Sequence, residues 1–154
     1  MKNIISNEQR RFNALSSEID NLYHEAASLL GLSDTAMYLL YSLEEHGDGI
    51  AQRDICLLYG FSRQSINSAV STLVRDGVVE LRKGEGRERS IFLTEKGRKL
   101  VAERIVPLIA LEKSIVSDWS KEEWNMLLNL LQRYRDSFRT HLPRLEGISK
   151  GRVA

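Results

Sequence analysis

Apolar residues recur at helical spacing along most of this chain, and in one short region the spacing shortens to that of strands. Over residues 6–30, Phe12, Leu15, Ile19, Leu22, Tyr23, Ala26, Leu29 and Leu30 follow the 3.6-residue period. They predict a long amphipathic helix that stops at Gly31. Ser33 is placed to cap a second helix, with Leu32 stapled to Met37 and a buried stripe of Ala36, Met37, Leu40 and Leu43. The run His46-Gly47-Asp48-Gly49 breaks it. Ile50 then reads as a one-residue strand that pairs with a later hairpin. Residues 52–59 form a short helix with Ile55 and Leu58 inward, ended by Gly60.

The fourth helix, residues 62–77, is the most informative. Ile66, Ala69, Val70 and Leu73 share one side. At about 100° per residue, Gln64, Ser68, Ser71 and Arg75 fall on the opposite side, flanked by Asn67. Ser62 suits the N-cap, Phe61 is placed to staple onto Ile66, and Gly77 suits the left-handed exit. A solvated face is ordinarily made of Lys and Glu pairs. This one is short, mostly uncharged and rich in hydrogen-bonding groups, as a base-reading face would be, since Gln and Asn pair bidentately with adenine and Ser serves any base edge. Taken alone, a plain surface helix carrying Ser and Asn explains it as well.

The segment after Gly77 shifts that balance. Residues 78–82 are β-rich, Lys83-Gly84-Glu85-Gly86 is a turn signal, and residues 90–93 form a second β run. Helix, hairpin with a basic tip, then helix is the layout of a winged helix-turn-helix. The three-residue link Gly60-Phe61-Ser62 has the length of its turn. Thr94 caps the next helix, whose stripe is Leu100, Val101, Ile105, Leu108 and Leu111, and Pro107 predicts a kink in it. Ser120-Lys121-Glu122-Glu123 is a capping box with Trp119 and Trp124 stapled around it. The last helix carries Trp124, Leu127, Leu128, Leu131, Tyr134 and Phe138 to about Leu142, and Pro143 closes it.

Charge distribution supports the same reading. Residues 1–61 hold 4 Lys/Arg and 9 Asp/Glu, net −5, whereas residues 62–104 hold 10 and 6, net +4. Positive charge gathers on the fourth helix, the hairpin and the turn after it, as a phosphate-binding surface requires. At 154 residues the chain is one domain's worth. With no run of 18 apolar residues and no signal-peptide core, no membrane association is expected, and a cytoplasmic location is. The single cysteine, Cys56, excludes an internal disulfide and fits a reducing compartment.

Four features give the chain a resemblance to the MarR family of winged-helix transcriptional regulators, the multiple-antibiotic-resistance type. They are L-S-D-T-A-M-Y-L-L at 32–40, S-R-Q-S-I-N-S-A-V-S-T-L at 62–73, the hairpin from G-V-V-E-L at 77–81 to R-S-I-F-L-T-E-K-G at 89–97, and the order of the elements. The resemblance implies a mostly α fold with a small β-hairpin wing. It implies one domain over 1–154, with the winged helix-turn-helix at 32–97, dimerisation helices at 6–30 and 98–142, and a tail at 143–154. A homodimer bound to double-stranded DNA at a partly palindromic operator is the implied assembly, acting as a repressor. The helix entering the major groove then carries Ser62, Arg63, Gln64, Ser65, Asn67, Ser68, Ser71 and Arg75. Gln52 and Arg53 begin the helix that crosses the backbone, and Lys83 and Arg89 hold phosphates. Arg87 matches the wing-tip arginine, six residues before the leucine of L-T, that reaches the minor groove. The family usually has Asp two residues before that arginine, and here Glu85 stands there.

Other functions find less support. Cys56 has no nearby His and reads as a small core residue. The family's peroxide sensors carry their reactive Cys in the first helix, where this chain has none. His24, His46 and His141 lack metal spacing, and no Gly-rich phosphate loop is present, so no enzyme, metal or cofactor is expected. A protein-interaction adaptor is the stronger competitor, and would show apolar patches on the wing and fourth helix. A small-molecule effector site is expected, if anywhere, around Tyr23, Met37, Tyr38 and Tyr41, though such residues equally suit a core.

Overall fold

The structure, a computed structural model, describes residues 5–83 and 89–146. The chain divides into two compact units, residues 1–112 and 113–154.

In the first unit, α1 (Asn7–Leu29) starts at Ser6, whose hydroxyl accepts from the Gln9 N–H. α2 (Asp34–His46) is capped by Ser33 as the sequence predicts. Strand β1 is Ile50–Ala51, followed directly by α3 (Gln52–Tyr59) and α4 (Arg63–Arg75). Gly60 between them takes φ 70°, a left-handed conformation that closes α3 and that a side chain would strain. The wing strands are β2 (Val79–Lys83) and β3 (Arg89–Leu93). The sheet is antiparallel in the order β1-β3-β2, with Ile50 opposite Ile91 and Leu81 opposite Ile91 on its other side. The strand foreseen at Ile50 is therefore present, one residue longer.

The core lies under α4. Ile66, Ala69, Val70 and Leu73 are buried, as are Ala36, Met37, Leu40 and Leu43 of α2, Ile55 of α3, and Val79, Ile91 and Leu93 of the wing. Leu58, expected inward, is instead 51% exposed beside the exposed Leu57. An eight-residue helix offers one narrow buried stripe, and Ile55 fills it.

Thr94 caps α5 (Glu95–Leu100). The disturbance foreseen at Pro107 takes the form of a π turn, Val101–Ile105, in which the Val106 N–H reaches the Val101 carbonyl. Proline has no N–H for the carbonyl four residues back and its ring crowds that group, so the preceding turn widens. α6 (Val106–Ile115) follows, its Leu108 buried and Leu111 exposed.

In the second unit, α7 (Lys121–His141) begins with the predicted capping box. The Glu123 N–H donates to Ser120 Oγ at 3.1 Å and the Ser120 N–H to Glu123 Oε2 at 2.7 Å. The rings of Trp119 and Trp124 pack 5.1 Å apart. Pro143 lies in a 3-10 turn, Leu142–Leu145. α7 buries none of its residues, and its apolar stripe is open: Leu127, Leu128, Leu131, Tyr134 and Phe138 are all exposed.

Candidate nucleic-acid interface

α4 holds its polar side to solvent because its apolar side is committed to the core. Arg63, Gln64, Asn67, Ser68, Ser71 and Arg75 are exposed, and Val74 is the one large apolar residue open on this helix. Ser62 and Ser65 are differently employed. The Ser65 N–H donates to Ser62 Oγ at 3.0 Å, and the two hydroxyl oxygens lie 2.8 Å apart, so their hydroxyls are spent closing the helix start. Arg75 pairs with Asp76 at 3.1 Å. The side chains left open on the outer face are Arg63, Gln64, Asn67, Ser68 and Ser71.

Gln52 and Arg53 sit at the first turn of α3, and Arg53 lies 3.5 Å from Asp54. Lys83 and Arg89 face each other as the last pair of the β2–β3 register, both exposed. Arg87 and Glu85 lie outside the described residues. Gln52, Arg53, Arg63, Asn67 and Arg89 come together around one cavity, whereas Ser65 and Ser68 line a second groove on the α2 side of α4.

The base of the wing is tied down by a residue that sequence reasoning did not single out. Asp48 accepts from the Leu93 N–H at 2.8 Å and from Arg98 at 2.7 Å. Burial works to raise its carboxyl; the bonds from Leu93 and Arg98, with the charges of Arg98 and Arg82, outweigh that and hold it below the ordinary value. Arg82 pairs with Glu80 and lies 4.4 Å from the ring centre of Phe92. The signal for Asp48 was weak, because its partners lie 45 and 50 residues further along the chain.

The aromatic residues form a packed cluster. Tyr38 lies 5.9 Å from Tyr23, 4.8 Å from Tyr59 and 5.7 Å from Phe61. Phe61 thus joins this cluster. Tyr23 and Tyr41 donate to the two carboxyl oxygens of Glu112, at 2.5 and 2.6 Å. Burial first, then Glu112, pushes both phenols above their ordinary 10.0. Met37 is a core residue, 1% exposed. The sequence held no hint of Glu112, which meets these tyrosines only through the fold.

Cys56 packs against the core on one side and lines the arginine cavity on the other, so it is less enclosed than a core residue. His24 faces Asp34 at 2.9 Å, while His46 and His141 face backbone carbonyls one turn back. Among the described residues no three His, Cys, Asp or Glu side chains gather as a metal site, and no helix is long and apolar enough to cross a membrane.

Helices α2, α3 and α4 with the three-stranded sheet define a winged helix-turn-helix protein. Residues 30–90 match the sequence profile described as the MarR family, and the winged helix of this chain resembles those of that family. Over 57 residues it is 40% identical to the HTH-type transcriptional regulator PetP of Rhodobacter capsulatus, a match covering 36% of this chain and 34% of that protein. The chain thus spans about a third of that relative's length. Among solved structures, NMB1585, a MarR family regulator from Neisseria meningitidis, superposes with a TM-score of 0.81 at 18% identity, over 92% of this chain and 100% of the other. The MepR–DNA complex of S. aureus gives 0.69 at 22% identity, over 86% and 99%.

Proposed function

We propose that the protein is a dimeric, sequence-specific DNA-binding transcriptional repressor acting in the cytoplasm on a partly palindromic operator. The observation that carries this reading is the outer face of α4. It presents Gln64, Asn67, Ser68 and Ser71 to solvent with Arg63 at the same end, and its opposite face is fully committed to the core. Amide and hydroxyl groups held rigidly on an exposed helix suit base edges, while cations beside them suit phosphates. MepR of S. aureus, which has the same fold, forms a complex with DNA, and this supports the same use of the fold here. Arg87, at the wing tip, is assigned to the minor groove on sequence grounds. The adaptor reading expects apolar patches on the fourth helix, where only Val74 is open.

The dimer rests on the apolar side chains left open on α1 and α7: Leu15, Ile19, Leu22 and Leu29 on the first, Leu127, Leu128, Leu131 and Phe138 on the second. Pairing with the same helices of a second copy covers both stripes. An effector relieves repression by entering beside Tyr23, Met37, Tyr38 and Tyr41, where Glu112 is held by two phenols. Titrating the full chain against genomic fragments at several chloride concentrations tests the DNA reading. Affinity falling steeply with salt, roughly one power of concentration per phosphate contact, is the expected result. A flat response, or no binding at low salt, would refute it.

A further inference from the structure

Five aromatic rings and one carboxylate gather where α1, α2 and α3 meet α6. Tyr38 stands 5.9 Å from Tyr23, 4.8 Å from Tyr59 and 5.7 Å from Phe61. Tyr41 joins them through Glu112, whose two carboxyl oxygens each take a phenol hydroxyl, one from Tyr23 and one from Tyr41. All six residues are half-buried, neither sealed core nor free surface. The two hydroxyls fix the direction of the Glu112 carboxylate without cancelling its charge. Among the described residues no cation pairs with it; His24 and His46 stand instead against Asp34 and Glu45.

The surroundings carry the same sign. After burial, it is carboxylates that hold these phenols above their ordinary value. Glu112 acts on all four, Asp20 and Asp34 on Tyr38, and Glu45 on Tyr41 and Tyr59, while among the described residues no cation pulls any of them down. Ring faces present the negative side of the aromatic quadrupole, so rings and carboxylates together attract an organic cation and repel an aromatic acid. A quaternary ammonium group suits the place best, because it packs on ring faces and asks for no hydrogen-bond partner.

We propose that this cluster takes an organic cation with an apolar body and turns away aromatic carboxylates. The proposal rests on the effector reading of Tyr23, Tyr38 and Tyr41 given above, and names the charge that such an effector carries.

Three probes of similar body and different charge test it: benzyltrimethylammonium, benzyl alcohol and phenylacetate. Each is titrated into the full chain without DNA, and the NMR signal of its aliphatic protons is followed. The cation is expected to saturate with an upfield shift, the mark of protons lying over ring faces, and to bind about tenfold more tightly than the alcohol. Phenylacetate is expected to bind more weakly than either. In Glu112→Gln, the preference for the cation over the alcohol, both measured on the same variant, should fall about tenfold. Glu45→Gln changes an exposed residue, so its melting temperature should hold while the preference falls about twofold. Phenylacetate binding as tightly as the cation, no saturable binding of the cation, or a preference that both variants retain would overturn the proposal.

A second arm measures affinity for a retained DNA fragment in saturating benzyltrimethylammonium chloride and in sodium chloride at the same concentration. Weaker DNA binding in the first supports the cation as an effector. A cation that saturates the cluster and leaves DNA affinity unchanged would overturn the effector reading alone, and the cation site would stand.

Discussion

Gly97 and the carbonyl of Val78 approach so closely that a Cβ at Gly97 would stand 2.0 Å from the Val78 oxygen. The same carbonyl accepts from Thr94 Oγ1 at 3.1 Å, and the Gly97 N–H donates to that hydroxyl at 3.0 Å. The start of α5 is thus pressed against the segment that leaves α4, with backbone on both sides of the contact.

Neither partner can yield cheaply, so Gly97→Ala should destabilise the protein by about 1–3 kcal/mol, the usual range for forcing an atom into a packed site. Urea unfolding measures it through the midpoint at constant slope. A change under about 0.5 kcal/mol, typical of a surface substitution, would mean that the helix slides away without cost.

Glu112 takes its two hydroxyl bonds from Tyr23 and Tyr41, and each phenol gains from staying protonated. Their folded pKa lies above the unfolded 10.0, so this contribution is complete below pH 10.0 and is lost as pH rises from there toward the folded value. Urea stability should therefore hold up to about pH 10 and decline as pH rises above it. Tyr23→Phe with Tyr41→Phe should flatten that decline and, at neutral pH, cost roughly 1 kcal/mol for each lost bond. Stability of the double variant that still falls as steeply in alkali would place the titrating group elsewhere.

Gln64 and Lys83 should fail in different ways. On the proposed function, Gln64→Ala should remove a base-edge contact and cost about 1–3 kcal/mol at the correct site while relaxing preference at one or two positions. On the same reading, Lys83→Ala should remove a phosphate contact, weakening all sequences alike and lowering the salt slope by about one. Binding to a randomised duplex library, selected at two salt concentrations, distinguishes them. Equal losses on every sequence for both variants would contradict the roles given to α4 and the wing.

Much of the fold was legible because its signals are local. Ser33, Ser62, Thr94 and Ser120 each bond a backbone N–H three residues on, which a sequence window of four displays. The stripes of α2 and α4 were readable because each helix buries one side against a common core. What escaped reading depends on meetings across the chain. Asp48 reaches Arg98, and Glu112 reaches Tyr23 and Tyr41, at separations that no periodicity encodes. Leu58 reads as inward because apolar spacing in a short helix does not say which of two leucines faces the core. On α4, Ser65 looks in sequence like its neighbours, and only the fold reveals that its hydroxyl meets that of the capping Ser62.

The central claim is that two copies hold two recognition helices at a fixed separation, about one DNA turn or roughly 34–36 Å. One helix reads only a few base pairs, and the second contact gains from the first only when geometry allows both. The direct measurement is the affinity of the full chain for a retained fragment, compared with the same fragment carrying about half a helical turn of extra DNA between its half-sites. The account predicts that the insertion lowers affinity to the non-specific level and that light scattering finds a dimer at the same concentrations. Equal affinity for both fragments, bound by a chain that remains monomeric, would contradict it.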